Sequence, residues 1–143
     1  MSTRAEAGGG PAGRTQLRVR YPEIDRMGIA YHAHYLVWFE LGRTELMREL
    51  GCPYGELEEV EGLRFPVTAV GARYLAPARY DDVLTVLTRL ARVDRVRVRF
   101  EYELAREAGE PRLLATGFSE HAALGRTGRP RRVPEALRRW MAR

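Results

Sequence analysis

The fold of this chain is decided by the stretch Tyr21-Pro-Glu-Ile-Asp-Arg-Met-Gly-Ile-Ala-Tyr-His-Ala-His-Tyr-Leu-Val-Trp-Phe-Glu40, which continues to Gly51. Gly28 indicates a loop at its start, and from about His32 the sequence favours one long helix that ends at Gly51. The first helical turns, residues 35–39, are apolar on every side, which is typical of a buried helix. The sequence therefore predicts a long helix whose N-terminal half lies in the core.

A carboxylate, Asp25, and a histidine, His32, stand just before the end of the helix that is predicted to be buried. Asp25 has two interpretations. It is a turn residue that accepts a hydrogen bond from its own backbone, or a general base or nucleophile whose reactivity is set by desolvation. Glu23, two residues earlier, is expected to be exposed.

The two histidines His32 and His34 do not predict a metal site, because residues two apart do not share a helix face and no third ligand lies nearby. His34 is interpreted as structural. At the start of the helix, the first backbone N–H groups have no internal partner and could polarise a substrate carbonyl. Together with Asp25 and the His32 imidazole, this arrangement suits acyl transfer or hydrolysis.

Length and composition predict one domain of residues 15–143 that follows a disordered tail, residues 1–14. No apolar run reaches the roughly 20 residues that span a bilayer, and the start has no signal-peptide pattern. The lone Cys52 has no disulfide partner. These features favour a cytoplasmic protein.

The net charge of +5 does not predict a nucleic-acid partner. All 24 basic residues are arginine, and they are spread along the whole chain. Such a distribution indicates compositional bias more than a dedicated basic surface.

After the long helix, apolar and polar residues alternate or run together as they do in β-strands. Short turns join these segments, so neighbouring strands are expected to be antiparallel. One long sheet and one buried helix predict an α+β domain in which the sheet curls around the helix. The predicted strands are 15–21, 63–76 (bent at Gly71), 83–93, 95–104 and 113–124, and a short terminal helix is predicted at 134–141.

No Gly-x-Ser-x-Gly elbow, phosphate-binding loop or dinucleotide fingerprint is present. Instead, two segments resemble the signature of the hot-dog-fold acyl-CoA thioesterases, in particular the 4-hydroxybenzoyl-CoA thioesterase and YbgC-type branch. The similarity covers roughly residues 17–124. The first segment is Asp25-x-x-Gly28-Ile29-x-Tyr31-His32-x-x-Tyr35-Leu36 with Glu40-x-x-Arg43-x-Glu45. The second segment is Tyr74-Leu-Ala-Pro77-Ala-Arg79-Tyr-Asp81-Asp82.

The resemblance implies a hot-dog fold, a long helix wrapped by a five-stranded antiparallel sheet, in a homodimer or homotetramer with each site at the dimer interface. It implies that Asp25 is the catalytic nucleophile or base and that the backbone N–H of His32 binds the thioester carbonyl, with its imidazole orienting it. It also implies coenzyme A phosphates held by strand arginines. The substrate-binding positions predicted on this basis are Gly28, Ile29, Tyr31, Tyr35, Arg92 and Arg95.

The predicted function is that of an acyl-CoA thioesterase without metal or organic cofactor, in which coenzyme A is part of the substrate. Two alternatives stay open: a hot-dog dehydratase or hydratase, and a non-enzymatic acyl-CoA-binding or regulatory module. The sequence leaves the acyl chain, the choice between dimer and tetramer, and the choice between coenzyme A and a carrier protein undecided.

Overall fold

A 16-residue helix, α1 (His34–Glu49), packs against a five-stranded antiparallel sheet in the computed structural model, which describes residues 10–140. The sheet has the strand order β1-β3-β4-β5-β2. This confirms the predicted α+β architecture. The strands are β1 (Ala12–Arg18), β2 (Val67–Tyr74), β3 (Val83–Val93), β4 (Arg97–Arg106) and β5 (Arg112–Ala122), and the short helices are α2 (Tyr54–Glu56), which a π-helical turn (Leu57–Glu61) extends, and α3 (Glu135–Arg138).

The strand boundaries follow the prediction most closely at β3, whose ends coincide with it. Residues 1–9 of the predicted tail lie outside the described residues, whereas residues 12–14 already belong to β1. β2 is shorter than predicted, and its irregularity lies between Val67 and Ala69 rather than at Gly71. Tyr21, predicted at the end of a half-buried strand, lies in a 3-10 turn and is 76% exposed, because β1 ends at Arg18.

The core lies between α1 and the inner face of the sheet. The predicted alternation in β4 is confirmed, since Tyr102 and its inward-facing neighbours are buried, and Phe39 of α1 stacks on Tyr102 with ring centroids 4.6 Å apart. The predicted all-round burial of the first helical turns is wrong for a single protomer. Val37 is 47% exposed and Leu41 is 45% exposed, because the sheet covers only one side of the helix.

The two edges of the sheet differ in chemistry. β1 exposes Arg14 and Arg18, whereas β2 exposes the apolar side chains of Val67, Val70 and Tyr74 beside Thr68 and a single charged residue, Arg73. An exposed apolar edge strand is a template for pairing with another chain, and charged residues protect an edge from such pairing. β2 is therefore the edge suited to association.

The two ends of the strands also differ. We call the end at Tyr74 and Val83 the loop end and the end at Val67 and Val93 the arginine end, as the strand registers place them. None of the helices described between residues 10 and 140 is long and apolar enough to cross a membrane.

Candidate active site

The segment that carries Asp25 is a tight hairpin at the loop end of the sheet. Ile24 and Ala30 form an antiparallel bridge, the N–H of Asp25 donates to Ile29 O at 2.9 Å, and the N–H of Gly28 donates to Asp25 O at 3.1 Å. Gly28 has φ +80°, a conformation that favours glycine. The hairpin thus closes the loop over very few residues and presents Asp25 next to its turn.

The carboxylate of Asp25 is half-buried and is oriented by its own turn. Its Oδ1 accepts a hydrogen bond from the N–H of Met27 at 2.8 Å, as the turn-residue interpretation predicts. Oδ2 has no protein hydrogen-bond partner among residues 10–140. One oxygen therefore fixes the carboxylate while the other is available to a substrate or a water molecule.

Glu23 is buried, at 4% exposure, which makes the expectation that it is exposed wrong. The 3-10 turn folds its carboxylate back into the protein, where Oε1 accepts from the N–H of Arg20 at 2.7 Å and Oε2 from the indole Nε1 of Trp38 at 3.1 Å. Burial by itself would raise the pKa of Glu23, but these bonds and the Arg20 guanidinium outweigh it and hold the pKa below its usual value.

The second half of the loop is anchored at three points. The N–H of Ala30 donates to Ala78 O at 2.8 Å, and the N–H of Tyr31 donates to Glu23 O at 2.9 Å. The hydroxyl of Tyr74 donates to His32 O at 2.9 Å, and burial raises the pKa of Tyr74, so this hydroxyl keeps its proton. The backbone that leads into α1 is therefore held from both the hairpin and strand β2.

The backbone N–H groups of His32 and Ala33 donate to no protein atom in the described part of the chain. Both residues are exposed, α1 begins directly afterwards at His34, and no side chain caps this end of the helix. Unpaired N–H groups at the positive end of a helix dipole suit an oxyanion or a polarised carbonyl. The geometry thus offers an electrophilic site on the same loop as Asp25.

Aromatic rings surround the imidazole of His32, with ring centroids 4.4 Å from Tyr31 and 6.2 Å from Tyr74. Tyr31 is exposed beside it. Tyr35 is instead buried, and its hydroxyl accepts a hydrogen bond from the N–H of Ala78 at 3.0 Å. The structure therefore places Tyr35 behind the site, where it supports the segment that holds Ala30.

Arg92 and Arg95 lie at the arginine end of the sheet, away from the Asp25 hairpin of the same chain. The nine residue steps from Val83 to Arg92 correspond to roughly 30 Å of strand. Arg92 pairs with Asp94, with Nε and Oδ1 3.2 Å apart. One protomer alone does not bring these arginines to the hairpin.

Sequence reasoning missed the supporting residues Glu23, Trp38 and Tyr74. Each acts through a contact with a residue 15 or more positions away, such as Trp38 on Glu23 and Tyr74 on His32. Tyr74 opens the second family-like segment, which was the one available signal.

Cavities of about 650 and 580 Å³ lie elsewhere in the described part of the chain, and neither of these is lined by Asp25 or His32. Within residues 10–140, no three His, Cys, Asp or Glu side chains are grouped so that they could hold a metal ion. In one protomer the tip of the hairpin and the start of α1 form an open surface, since residues 26–28 and 31–33 are exposed.

A model of the thioesterase-like superfamily matches residues 19–141. The putative acyl-CoA thioesterase YneP of Bacillus subtilis is 37% identical over 103 residues, which cover 72% of this chain and 74% of YneP. The acyl-CoA thioesterase YbgC of Haemophilus influenzae is 38% identical over 90 residues, or 63% of this chain and 66% of YbgC.

Among solved structures, a 4-hydroxybenzoyl-CoA thioesterase in complex with 4-hydroxybenzoyl-CoA superimposes with a TM-score of 0.82 at 20% identity, over 92% of this chain and 99% of that one. At that identity the similarity concerns the fold. The sheet order and the helix packed on the sheet therefore correspond to a hot-dog fold.

Proposed function

This chain belongs to the thioesterase-like superfamily, and we propose that it hydrolyses the thioester bond of an acyl-coenzyme A at the loop end of its sheet. The enzyme is a thioester hydrolase of the acyl-CoA thioesterase type. The names of YneP and YbgC, which both specify acyl-CoA, support coenzyme A as the thiol component.

The observation that carries the proposed mechanism is the pair of unpaired N–H groups on the loop that also holds Asp25. The thioester carbonyl oxygen accepts hydrogen bonds from the N–H groups of His32 and Ala33, where the developing negative charge is stabilised. The His32 imidazole contacts the rings of Tyr31 and Tyr74 and helps to orient the carbonyl.

Asp25 then acts in one of two ways. As a nucleophile, Oδ2 attacks the carbonyl carbon and the C–S bond breaks, which releases coenzyme A thiolate and leaves an acyl anhydride that water hydrolyses. As a general base, Oδ2 accepts a proton from the water that attacks the same carbon. Both routes end in a carboxylic acid and free coenzyme A.

The test is thiol release, followed with a thiol-reactive dye, from benzoyl-, phenylacetyl-, short-chain and palmitoyl-CoA. We expect Asp25→Asn to keep the fold and to lower turnover at least about 100-fold, the size of a general acid–base effect. Asp81→Asn is the matched control, an exposed carboxylate whose φ of 69° asparagine tolerates.

Near-normal turnover in Asp25→Asn would contradict the catalytic assignment. Ester binding without thiol release by the wild type would indicate the binding-module alternative. Double-bond formation or hydration without thiol release would indicate the dehydratase or hydratase.

We propose further that two protomers pair along β2 about a two-fold axis. The apolar edge formed by Val67 and Val70, together with the exposed Val37 and Leu41 of α1, supports this pairing. The open surface at the hairpin also supports it, since a second subunit would exclude water from the thioester.

Antiparallel pairing of β2 with its own copy would bring the arginine end of one protomer to the loop end of the other. We therefore propose that Arg92 and Arg95 of the partner subunit contact the coenzyme A phosphates, while Gly28, Ile29 and Tyr31 shape the thioester site. Assembly of dimers into a tetramer, a cytoplasmic location and a reaction without metal or organic cofactor stay predictions.

A further inference from the structure

Glu23 joins three separate segments at the candidate active site. Its carboxylate accepts hydrogen bonds from the N–H of Arg20 and the indole of Trp38, and its own carbonyl accepts one from the N–H of Tyr31. Asp25 follows two residues later, and His32 comes directly after Tyr31. One residue therefore fixes both limbs of the hairpin.

Trp38 connects Glu23 to the helix α1. It is 1% exposed and lies one helical turn after His34, the first residue of α1. Its indole N–H reaches Glu23 Oε2 at 3.1 Å. The bond to Trp38 thus fixes the position of the Asp25 hairpin relative to the beginning of α1, which lies next to the free N–H groups of His32 and Ala33.

Stability alone does not account for a carboxylate in this position. Taking a carboxylate out of water is costly, and apolar side chains of similar volume often replace a buried ionic group with no loss of stability. The ion pair with Arg20 adds little, because the Arg20 side chain is 72% exposed. A carboxylate, unlike an apolar residue, accepts hydrogen bonds with fixed directions.

We propose that Glu23 and Trp38 are positioning residues for the hydrolysis, which hold the Asp25 carboxylate at its working distance from a carbonyl bound at the start of α1. This inference rests on the proposed function. Catalytic groups must be held within about 0.5 Å of the productive geometry, and a misplacement of about 1 Å costs on the order of 100-fold in rate.

The test uses two conservative variants of the full chain with the best acyl-CoA of the panel. Trp38→Phe keeps an aromatic ring and removes the N–H donor, and Glu23→Gln keeps the shape and removes the charge. We expect each to lower kcat about 10- to 100-fold and to leave KM within about threefold, since the loop moves while the ester still binds. The double variant should lose no more activity than the more strongly impaired single variant, because both changes disrupt the same Glu23–Trp38 contact.

The matched control is Leu46→Ala, which removes a buried side chain from the same helix two turns further on. It should lower the thermal midpoint at least as much as Trp38→Phe and leave kcat unchanged below the unfolding transition. If Glu23→Gln does not fold, Trp38→Phe with this control still decides the question.

Several results would overturn the inference. These are an unchanged kcat in both variants, a loss no larger than that of Leu46→Ala, or a rise in KM with kcat intact. A wild type that releases no thiol from any ester would instead overturn the proposed function and, with it, this inference.

Discussion

His121 ends a chain of buried hydrogen bonds that starts at a buried arginine. Nη1 of Arg43 donates to the Tyr102 hydroxyl at 3.2 Å, that hydroxyl contacts Ser119 Oγ, and Oγ lies 2.8 Å from His121 Nε2. His121 Nδ1 lies 3.1 Å from Phe65 O, which can only accept. Nδ1 therefore carries the proton, and Nε2 accepts from Ser119.

This environment keeps His121 neutral. Burial, and then the positive charge of Arg43, lower the pKa of His121 to about 4. A second proton on Nε2 would also break the bond that Ser119 donates. The same residues that order the core thus make it sensitive to acid.

We predict that the free energy of unfolding falls as the pH is lowered from about 6.5 to about 4. The unfolded state binds a proton at His121 in this window and the native state does not, so stability rises with pH across it, by about 3 kcal/mol in total. The measurement is urea unfolding at a series of pH values.

His121→Gln is the comparison variant for this prediction. It should be less stable at pH 7 and have a shallower pH slope between 4 and 6.5, while Glu23 and the other acids contribute equally to both proteins. Identical slopes would contradict the assignment to His121.

At the scale of the element, a glycine inside α1 decides how closely the helix approaches the sheet. A Cβ at Gly42 would lie 2.4 Å from Thr88 Oγ1 and 2.7 Å from Val86 Cγ1 of β3. A glycine inside a helix costs about 1 kcal/mol relative to alanine. The helix accepts this cost because no larger residue fits between α1 and β3.

We predict that Gly42→Ala destabilises the protein by about 1–3 kcal/mol, although alanine favours helix more than glycine does. The overlap forces α1 away from β3, which loosens the packing of the core. Urea unfolding measures the change. Gly55→Ala is the matched control, because Gly55 lies in the short helix α2 and a Cβ there meets nothing within 4 Å, so the change should leave stability unaltered or raise it by up to about 1 kcal/mol. A Gly42→Ala protein as stable as the wild type would contradict the close approach.

At the scale of the whole molecule, one protomer holds the two halves of the proposed site at opposite ends of its sheet. Asp25 lies at the loop end and Arg95 at the arginine end. Pairing along β2 would bring the arginine end of one protomer to the loop end of its partner. The reason is that the strands of the two protomers run in opposite directions about an antiparallel two-fold axis. The edge chemistry of β2 and the proposed composite site therefore depend on the same assembly.

We predict that two inactive chains complement each other in mixed dimers. One chain carries Asp25→Asn, and the other carries Arg92→Ala with Arg95→Ala. If each site takes Asp25 from one chain and the arginines from its partner, one site of every mixed dimer is intact. Differently tagged, co-expressed and doubly purified dimers should then recover about half of the wild-type thiol release at low substrate concentration, since one site of the two is intact.

Val70→Arg in both chains is the control, because a charge on the β2 edge opposes pairing and should abolish the recovery. Gln16→Arg on the β1 edge should leave it unchanged. No recovery in well-formed mixed dimers would contradict a site shared between protomers.

Local sequence patterns determined the elements. The apolar run at 35–39 and the stop at Gly51 indicate the long helix, and the alternation in β4 and the β-branched run of β3 indicate strands whose positions the structure confirms. The elements depend on periodicity and turn chemistry within a few residues, so they can be read from the chain. The family was instead indicated by the resemblance of two segments, residues 25–45 and 74–82, to a known signature, and the comparisons show it.

Only the tertiary structure decided which side chains support the loop. Glu23 is buried because Trp38 approaches it from the helix, and Tyr74 holds His32 from a strand 42 residues further on. Val37 is exposed because one sheet covers only one side of α1. Burial and hydrogen-bond partners of this kind depend on contacts between residues distant in sequence, and no local pattern encodes them.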